Sequence, residues 1–358
     1  MYIVIISIVL FLGGFILLAN FMQKKDMKRT KEDITTFMYK NPEQWSFSLL
    51  KNGEPIAQHN EHQLTPLAST VKMIYAVAFV EAVSKKKLNL NEIISIREVD
   101  IFYLPNTDGH AHLIWKDNEI ISEEVTLKQI AQGMMRYSSN ACTDYLYTRL
   151  GQSNLQSIVT KYNLSPHTTI YPLASMVLIP SYLHIEEQAT MKQLSKAIEQ
   201  LSQKRILALS EQLLQLLHRG DAQQYMNILG TCLTMKVQKA WTSKLPASTT
   251  HTYSTFMQQL GTTQWAEEEQ LLLDELIGYA NNFERVQRLW KKGGSTPFLL
   301  TYAGFEQTAE ETFALSFFLQ EDVFVEMMWI QRNLSDFIHS ILHDEEFREK
   351  VLRVVKEV

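Results

Sequence analysis

The stretch Pro66-Leu67-Ala68-Ser69-Thr70-Val71-Lys72 leads directly into an apolar run over residues 73–83. This run predicts a helix that opens at Ser69, with Lys72 one turn on and on the same face as the serine. Upstream, two strand-like segments, residues 45–50 and 56–59, flank Asn52-Gly53. Asn-Gly in that position is a strong hairpin signal. A hairpin that feeds a helix opening on a serine frames everything that follows.

Ser-x-x-Lys on its own carries little information, since a chain of this size and ordinary composition holds about one or two by chance. Ser48-Leu49-Leu50-Lys51 and Ser84-Lys85-Lys86-Lys87 match it too. Ser48 falls within the first strand segment, where a residue three positions on points to the opposite face. Ser84 lies at the far end of the predicted helix, among lysines, which suits a solvated C-terminus. Ser69, by contrast, is followed in order by Ser138-Ser139-Asn140 and Lys292-Gly293-Gly294. Together these motifs supply a hydroxyl nucleophile, two proton carriers and a cationic strand edge. A hydroxyl needs a nearby base to attack. Lys72 can be that base if burial and a second cation keep its amine neutral.

In this order and context the motifs resemble the Ser-x-x-Lys, Ser-Asp-Asn and Lys-Thr-Gly set of class A β-lactamases and penicillin-binding proteins. The resemblance covers the chain from about residue 31 to its C-terminus. It implies an α+β, β-lactamase/transpeptidase-like fold: a mostly antiparallel sheet flanked by helices, an all-α lobe, and the active site where the lobes meet. It also implies roles. Ser69 is the nucleophile and Lys72 its base; Ser138 relays a proton to the leaving group; Asn140 binds substrate and Lys72. Lys292 raises the local positive potential and steers a substrate carboxylate. The oxyanion hole takes the backbone N–H of Ser69 and one from the strand after Lys292, near Thr296. Gly294, Ser295 and Thr296 line the substrate edge, and Tyr103 walls the pocket.

The chain departs from the pattern at several points. Ser139 stands where β-lactamases often carry Asp. Gly293 stands where Thr or Ser is usual, which leaves contact with a substrate carboxylate to Ser295 or Thr296. Lys291-Lys292-Gly293 fits the third motif one residue earlier; Lys292 is preferred because Gly294-Ser295 continues the pattern. The largest departure concerns turnover. Class A enzymes carry a Glu, within Glu-x-x-Leu-Asn, in the loop after the second motif, and it activates the water that hydrolyses the acyl-enzyme. Here no Asp or Glu occurs between Asp144 and Glu186. Glu186 and Glu187 read as first-turn acids of the next helix. Acylation at Ser69 is expected; fast hydrolysis is not.

Along the chain, helices are expected at residues 31–39, 125–135 and 141–150, the last closing at Gly151. Residues 88–100 read as extended and residues 103–109 as a loop rich in turn formers. Residues 191–290 are almost wholly helical in pattern and read as a helical insertion, with Leu209, Leu213, Leu216, Leu217 and then Leu271 to Leu273 as core. A closing β-region is expected at residues 297–304, 311–320 and 323–330. A last helix then carries Leu334, Phe337, Ile338, Ile341 and Leu342 on one face. The lobes count as one catalytic domain, residues 31–358, after a polar linker at 23–30.

Composition sets outer limits. With 46% hydrophobic and 20% charged residues the chain supports a sizeable core. A net charge of −5, with basic residues clustered only over 24–31, argues against a nucleic-acid partner. Cys142 and Cys232 show neither a disulfide framework nor metal spacing, and no metal or organic cofactor is implied. Cys142 reads as a small buried hydrophobe.

Residues 2–22 carry no charge and are long enough to cross a bilayer. They lack a basic n-region and a small-x-small site, so a retained anchor is expected over a cleaved signal. Lys24, Lys25, Lys28 and Arg29 follow, which by the positive-inside rule favours a cytoplasmic side. A long folded domain is exported despite flanking charge, and the family works on the cell-wall side, so an extracytoplasmic domain is expected. The reading is a monomeric, membrane-anchored serine hydrolase that acts through an acyl-enzyme on a cell-wall peptide, a β-lactam or a related amide or ester. The alternatives are a class A-like β-lactamase using Glu186 or Glu187, and a β-lactam or peptidoglycan-fragment sensor that acylates without turnover.

Overall fold

The computed structural model describes residues 28–279 and 286–358. Two compact units emerge: residues 45–320, and a smaller one joining the segments before 45 and after 320. The expected anchor, residues 1–22, lies outside the described residues. Among those described, no helix is long and apolar enough to cross a membrane.

After α1 (Lys31–Lys40), which belongs to the smaller unit, β1 (Trp45–Lys51) and β2 (Glu54–His59) pair as the Asn52-Gly53 hairpin. Both turn residues have positive φ, 52° and 84°, as a two-residue turn between twisted strands requires. β3 (Thr65–Pro66) leads into a 3-10 turn, Ala68–Val71, and then α2 (Lys72–Ser84). Ser69 thus lies in the turn, and the α-helix proper begins at Lys72. From Lys72 to Glu81 α2 is buried all round, as a helix without a polar face must be.

β4 (Ile93–Ser95) precedes α3 (Ile96–Asp100) and α4 (Ala111–Asn118), and pairs with β5 (Glu124–Thr126). The extended reading of residues 88–100 therefore holds only for β4. Ser95 is extended and stands as N-cap, after which Ile96 and Val99, three apart, are both buried, a helical spacing. α5 (Leu127–Gln132) runs into a π turn, Gly133–Tyr137, followed by α6 (Asn140–Leu150) and α7 (Gln152–Lys161). The helical stretch continues with a 3-10 turn, Ser175–Leu178, α8 (Ile179–Ile185), α9 (Leu194–Glu199), α10 (Gln203–Arg219), α11 (Gln223–Cys232) and α12 (Met235–Thr242). Leu209, Leu213 and Leu217 are buried in the core. β6 (Ala247–Ser248) pairs with β3, and α13 (Thr250–Thr262) and α14 (Glu267–Ile277) follow.

β7 (Val286–Thr296), β8 (Leu299–Thr308) and β9 (Thr312–Gln320) complete an antiparallel sheet in the order β2-β1-β9-β8-β7. β7 starts earlier than expected, because Trp290 and Lys292 alternate inward with exposed Gly293, the two-residue period of a strand. α13 lies across β1, β8 and β9. Ser254 on it hydrogen-bonds Ser48 at 2.8 Å.

In the smaller unit α1 packs with α15 (Phe324–His343) and α16 (Glu345–Glu357). Phe37 meets the Trp329 ring edge-on at 6.3 Å. Residues 323–330, expected as a strand, are the first turns of α15. Short apolar runs do not distinguish strand from helix by themselves. Here Met327 and Ile330 bury on the helical face that Phe337 and Ile341 continue.

α13 approaches the sheet through Gly261, where a Cβ would collide with the Phe305 ring. Overpacking of this kind costs about 1–3 kcal/mol. Gly261→Ala should lower unfolding free energy by that amount in urea melts, whereas Gly230→Ala, in open space on α11, should not.

Candidate active site

The turn that carries Ser69 is held from two sides. Thr301 on β8 donates its hydroxyl to Leu67 O at 2.8 Å and lies 2.7 Å from the Thr70 hydroxyl. Leu67 N donates to Pro246 O at 2.8 Å. Ala68 is driven to φ 44°, a left-handed conformation that costs an alanine about 1–3 kcal/mol and persists only where the surroundings impose it. Ser69 itself is half-buried, between buried Ala68 and Thr70.

Lys72 is fully buried. Its Nζ donates to Ser138 O at 2.6 Å, to Asn140 Oδ1 at 2.8 Å and to Ser138 Oγ at 3.3 Å. Among the described residues no hydrogen bond joins it to Ser69 Oγ, so the base expected beside Ser69 is here turned toward the second motif. Lys292, 5% exposed, donates to the same Ser138 Oγ at 3.0 Å and to Gly293 O at 2.9 Å. The Ser138 hydroxyl therefore sits between two lysine amines. Burial, and then the neighbouring Lys292, hold the Lys72 amine well below the usual lysine range. Burial lowers Lys292 to about 8. Lys291 instead lies over the Tyr279 ring at 4.4 Å, so of the two lysines it is Lys292 that stands beside Ser138.

Ser138 takes φ 71° at the end of the π turn. π turns insert where a helix must deliver a side chain out of register. The residue after it, Ser139, caps α6 by accepting from Cys142 N at 3.1 Å, and lies 3.0 Å from His112 Nδ1. His112 is fully buried; its Nε2 is 2.8 Å from Asp100 Oδ1, and Lys116 donates to Asp100 Oδ2 at 2.7 Å. The expected pocket aromatic, Tyr103, stacks on His112 at 5.0 Å. Sequence reasoning missed His112, Asp100 and Thr301. The sole signal for the first two was the missing Asp at 139, which left the second motif without its usual anchor. Cys142 is buried and its thiol is pushed up to about 12, so it packs as a small apolar group.

The open edge of β7 meets the Ser69 turn at Gly294, where a Cβ would lie 2.6 Å from Ser69 N and 2.7 Å from Leu67 O. Only glycine permits that approach. Tyr279 N donates to Leu289 O, so Leu289 turns its backbone groups away from β8. Pairing runs without a shift from Leu289 to Thr296, and alternate residues of an antiparallel strand share a direction. Gly293 and Ser295 therefore face outward as well. Ser295 N–H, not Thr296 N–H, is the strand donor on the Ser69 edge. Thr296 instead accepts from the Thr242 hydroxyl at 3.1 Å.

The loop expected to lack a base is held by a carboxylate from elsewhere. Asp144 on α6 is fully buried. It accepts from Leu173 N at 2.6 Å, Ala174 N at 3.0 Å, Ser175 N at 2.8 Å and Ser175 Oγ at 2.5 Å. Glu186 and Glu187 follow the C-terminal end of α8 rather than opening α9. Glu186 accepts from Tyr225 Oη and Glu187 from Arg205; both are exposed. The helix they were assigned to starts only at Leu194, so their first-turn reading fails. Among the described residues no cluster of His, Cys, Asp and Glu is placed to hold a metal ion.

Residues 29–240 match the model of the beta-lactamase enzyme family. The fold is similar to that of a beta-lactamase from Sphaerobacter thermophilus (14% identity, 91% of this chain and 96% of that one, TM-score 0.53). It is also similar to a class A beta-lactamase from Bacteroides cellulosilyticus (12% identity, 92% and 100%, TM-score 0.52). PBP-A is a third such structure (13% identity, 86% and 95%, TM-score 0.50). No curated protein matches the sequence.

The two lysines should report their proximity directly. In ¹³Cε-lysine NMR, Lys72 and Lys292 should titrate below the remaining lysines, Lys292 losing its charge as pH rises through about 8. Lys292→Ala removes a neighbouring cation and should move Lys72 upward, toward the ordinary range. A Lys72 signal that does not move would mean the two ammonium groups do not sense each other.

Proposed function

We propose that this chain, which belongs to the beta-lactamase enzyme family and with it to the superfamily of serine β-lactamases and penicillin-binding proteins, is a membrane-anchored serine hydrolase. It acylates at Ser69 and releases the acyl group slowly. The substrate class is a cell-wall peptide, a β-lactam or a related amide or ester. The observation that carries this reading is the convergence of Lys72 and Lys292 on the Ser138 hydroxyl, with Asn140 accepting from the same Lys72 amine.

The steps follow from that arrangement. Neutral Lys72 swings from Ser138 to take the Ser69 proton as Oγ attacks the substrate carbonyl carbon. The developing oxyanion is received by Ser69 N–H and Ser295 N–H, preorganised donors aimed at charge that appears only in the transition state. Collapse breaks the bond to the leaving group, which takes the Ser138 proton; Ser138 recovers one from Lys72. Lys292 draws a substrate carboxylate to the β7 edge, and the open edge suits an extended peptide laid alongside. Anchoring through residues 2–22, with the folded part outside the cytoplasm, remains the reading of the N-terminal segment.

Turnover is where this chain parts from a class A enzyme. The loop after the second motif buries Leu173 and Ala174, and the carboxylate nearest it, Asp144, is spent on backbone N–H groups. A sensor that never deacylates shares the same first half-reaction and differs only in the rate of the second.

A penicillin or activated ester should leave a covalent adduct on Ser69, seen by mass spectrometry, and Ser69→Ala should abolish it. Lys72→Ala should slow adduct formation by about 10²–10⁴-fold, the usual worth of general-base assistance. Lys87→Ala, at the neighbouring decoy, should leave the rate unchanged. Labelling that persists in Ser69→Ala would move the nucleophile elsewhere.

The adduct should also persist. Without a positioned base, deacylation should run about 10²–10⁴-fold slower than in a competent relative, giving a burst and a slow steady state. Glu186→Gln and Glu187→Gln should not alter the slow phase. Fast steady-state penicillin hydrolysis that either substitution removes would instead establish the β-lactamase alternative.

A further inference from the structure

The start of α15 leaves an apolar face uncovered. Val323, Phe324, Val325 and Met328 are 53%, 46%, 41% and 55% exposed. Phe324 and Val325 lie four and three residues before Met328, so these side chains form one continuous face of the helix. Isolated exposed apolar residues need no explanation; a contiguous group of large ones does.

The position of the incoming chain identifies what lies against it. Arg29 donates to both carboxylate oxygens of Glu326, at 2.7 and 3.3 Å, and its guanidinium sits 4.4 Å over the Trp329 ring. Glu326 and Trp329 flank Val325 and Met328 in the sequence, so the chain enters this unit beside the apolar face. Only seven Cα–Cα steps separate Met22, the end of the uncharged segment, from Arg29. Fully extended they reach about 25 Å at most. Lys24, Lys25 and Lys28 fall within that connection, against a single acid, Asp26. The acids at this end do not oppose an anionic surface strongly: Glu326 is neutralised by Arg29, and Glu321 is buried, accepting from Val323 N at 2.7 Å. Asp322 is exposed there.

We propose that Val323, Phe324, Val325 and Met328 rest in the interfacial layer of the lipid bilayer that residues 2–22 enter, with the basic connection lying on its anionic headgroups. The inference rests on the anchor reading of residues 2–22. A tether this short holds the face at high effective concentration against the surface, so a patch too small to bind lipid alone is sufficient. Apolar side chains at the end of an amphipathic helix partition to this layer, and neighbouring Lys and Arg strengthen the attachment to anionic lipid.

The test uses the full chain carrying Val325→Cys or Met328→Cys, labelled with an environment-sensitive fluorophore and reconstituted in phosphatidylglycerol–phosphatidylcholine vesicles. Cys142 and Cys232 are buried, so the label goes to the introduced thiol, and the unsubstituted protein sets the background. Emission at both positions should shift to shorter wavelength and be quenched by nitroxides on lipid acyl chains, while a label at exposed Glu349→Cys should show neither. Aqueous emission at Val325 and Met328, in protein that resists alkaline extraction from the vesicles, would overturn the proposal and leave the anchor reading standing. Protein released by that extraction would overturn both. A blue shift that acyl-chain nitroxides leave unquenched would place residues 2–22 or a second copy on the face, and would also overturn the lipid assignment.

Discussion

A lysine amine sealed from water is the constraint on which the larger unit depends. Leaving a charge unpaired in an apolar interior is among the most costly arrangements a fold can contain. Lys72 avoids it by shedding basicity and by collecting acceptors: the Ser138 carbonyl, the Asn140 amide oxygen and the Ser138 hydroxyl. To deliver those acceptors the backbone leaves α-helical geometry, through the π turn at Gly133–Tyr137 and a left-handed Ser138 at φ 71°. The strain is about 1–3 kcal/mol, and hydrogen bonds to a charged or strongly polarised amine, each about 1.5–3 kcal/mol, offset it. The same demand fixes how Asn140, an acceptor for that amine, opens α6. The pocket is thus a consequence of solvating one amine without water.

Ser139 shows how that electrostatic balance is kept when the usual Asp is missing. A carboxylate at 139 would lie next to Ser138 and would raise the Lys72 amine toward its ordinary range. Here a hydroxyl takes its structural place, and the carboxylate is moved two hydrogen bonds away, to Asp100 behind His112. The α6 cap survives, since Ser139 still accepts from Cys142 N. Tyr103, stacked on His112, joins the pocket wall to the same chain of contacts.

Local chemistry made much of this legible beforehand. Asn52-Gly53 marked the hairpin because only a φ-positive pair closes such a turn, and the leucines of α10 marked core through helical spacing. Ser69, Lys72, Ser138, Asn140 and Lys292 were recognisable because their order along the chain is unusual while each alone is common. What stayed hidden depends on tertiary placement. His112 and Thr301 act through partners 27 and 234 residues away, Ser139 and Leu67, and no local pattern records that. Residues 323–330 misled because an apolar run suits a strand or a helix equally, and packing within the smaller unit decides. Thr296 was preferred over Ser295 because strand phase is set by a hydrogen bond from Tyr279 that no motif contains.

The fate of an acyl group on Ser69 follows from how the loop after the second motif is built. Three successive backbone N–H groups, from Leu173 to Ser175, turn inward, and buried donors of this kind require an acceptor. Asp144 supplies it, with both oxygens committed and burial raising its pKa. A carboxylate bound to four donors has no lone pair left to draw a proton from water. Of the side chains the loop turns into the protein, Tyr171, Leu173 and Ala174 carry no carboxylate, and Ser175 donates to Asp144. Stability and hydrolysis thus compete for one residue type in one place, and here the carboxylate went to the fold. Acylation draws on Lys72, Ser138 and the β7 edge, none of which involves this loop. In the proposed mechanism the two half-reactions therefore rest on separate parts of the chain.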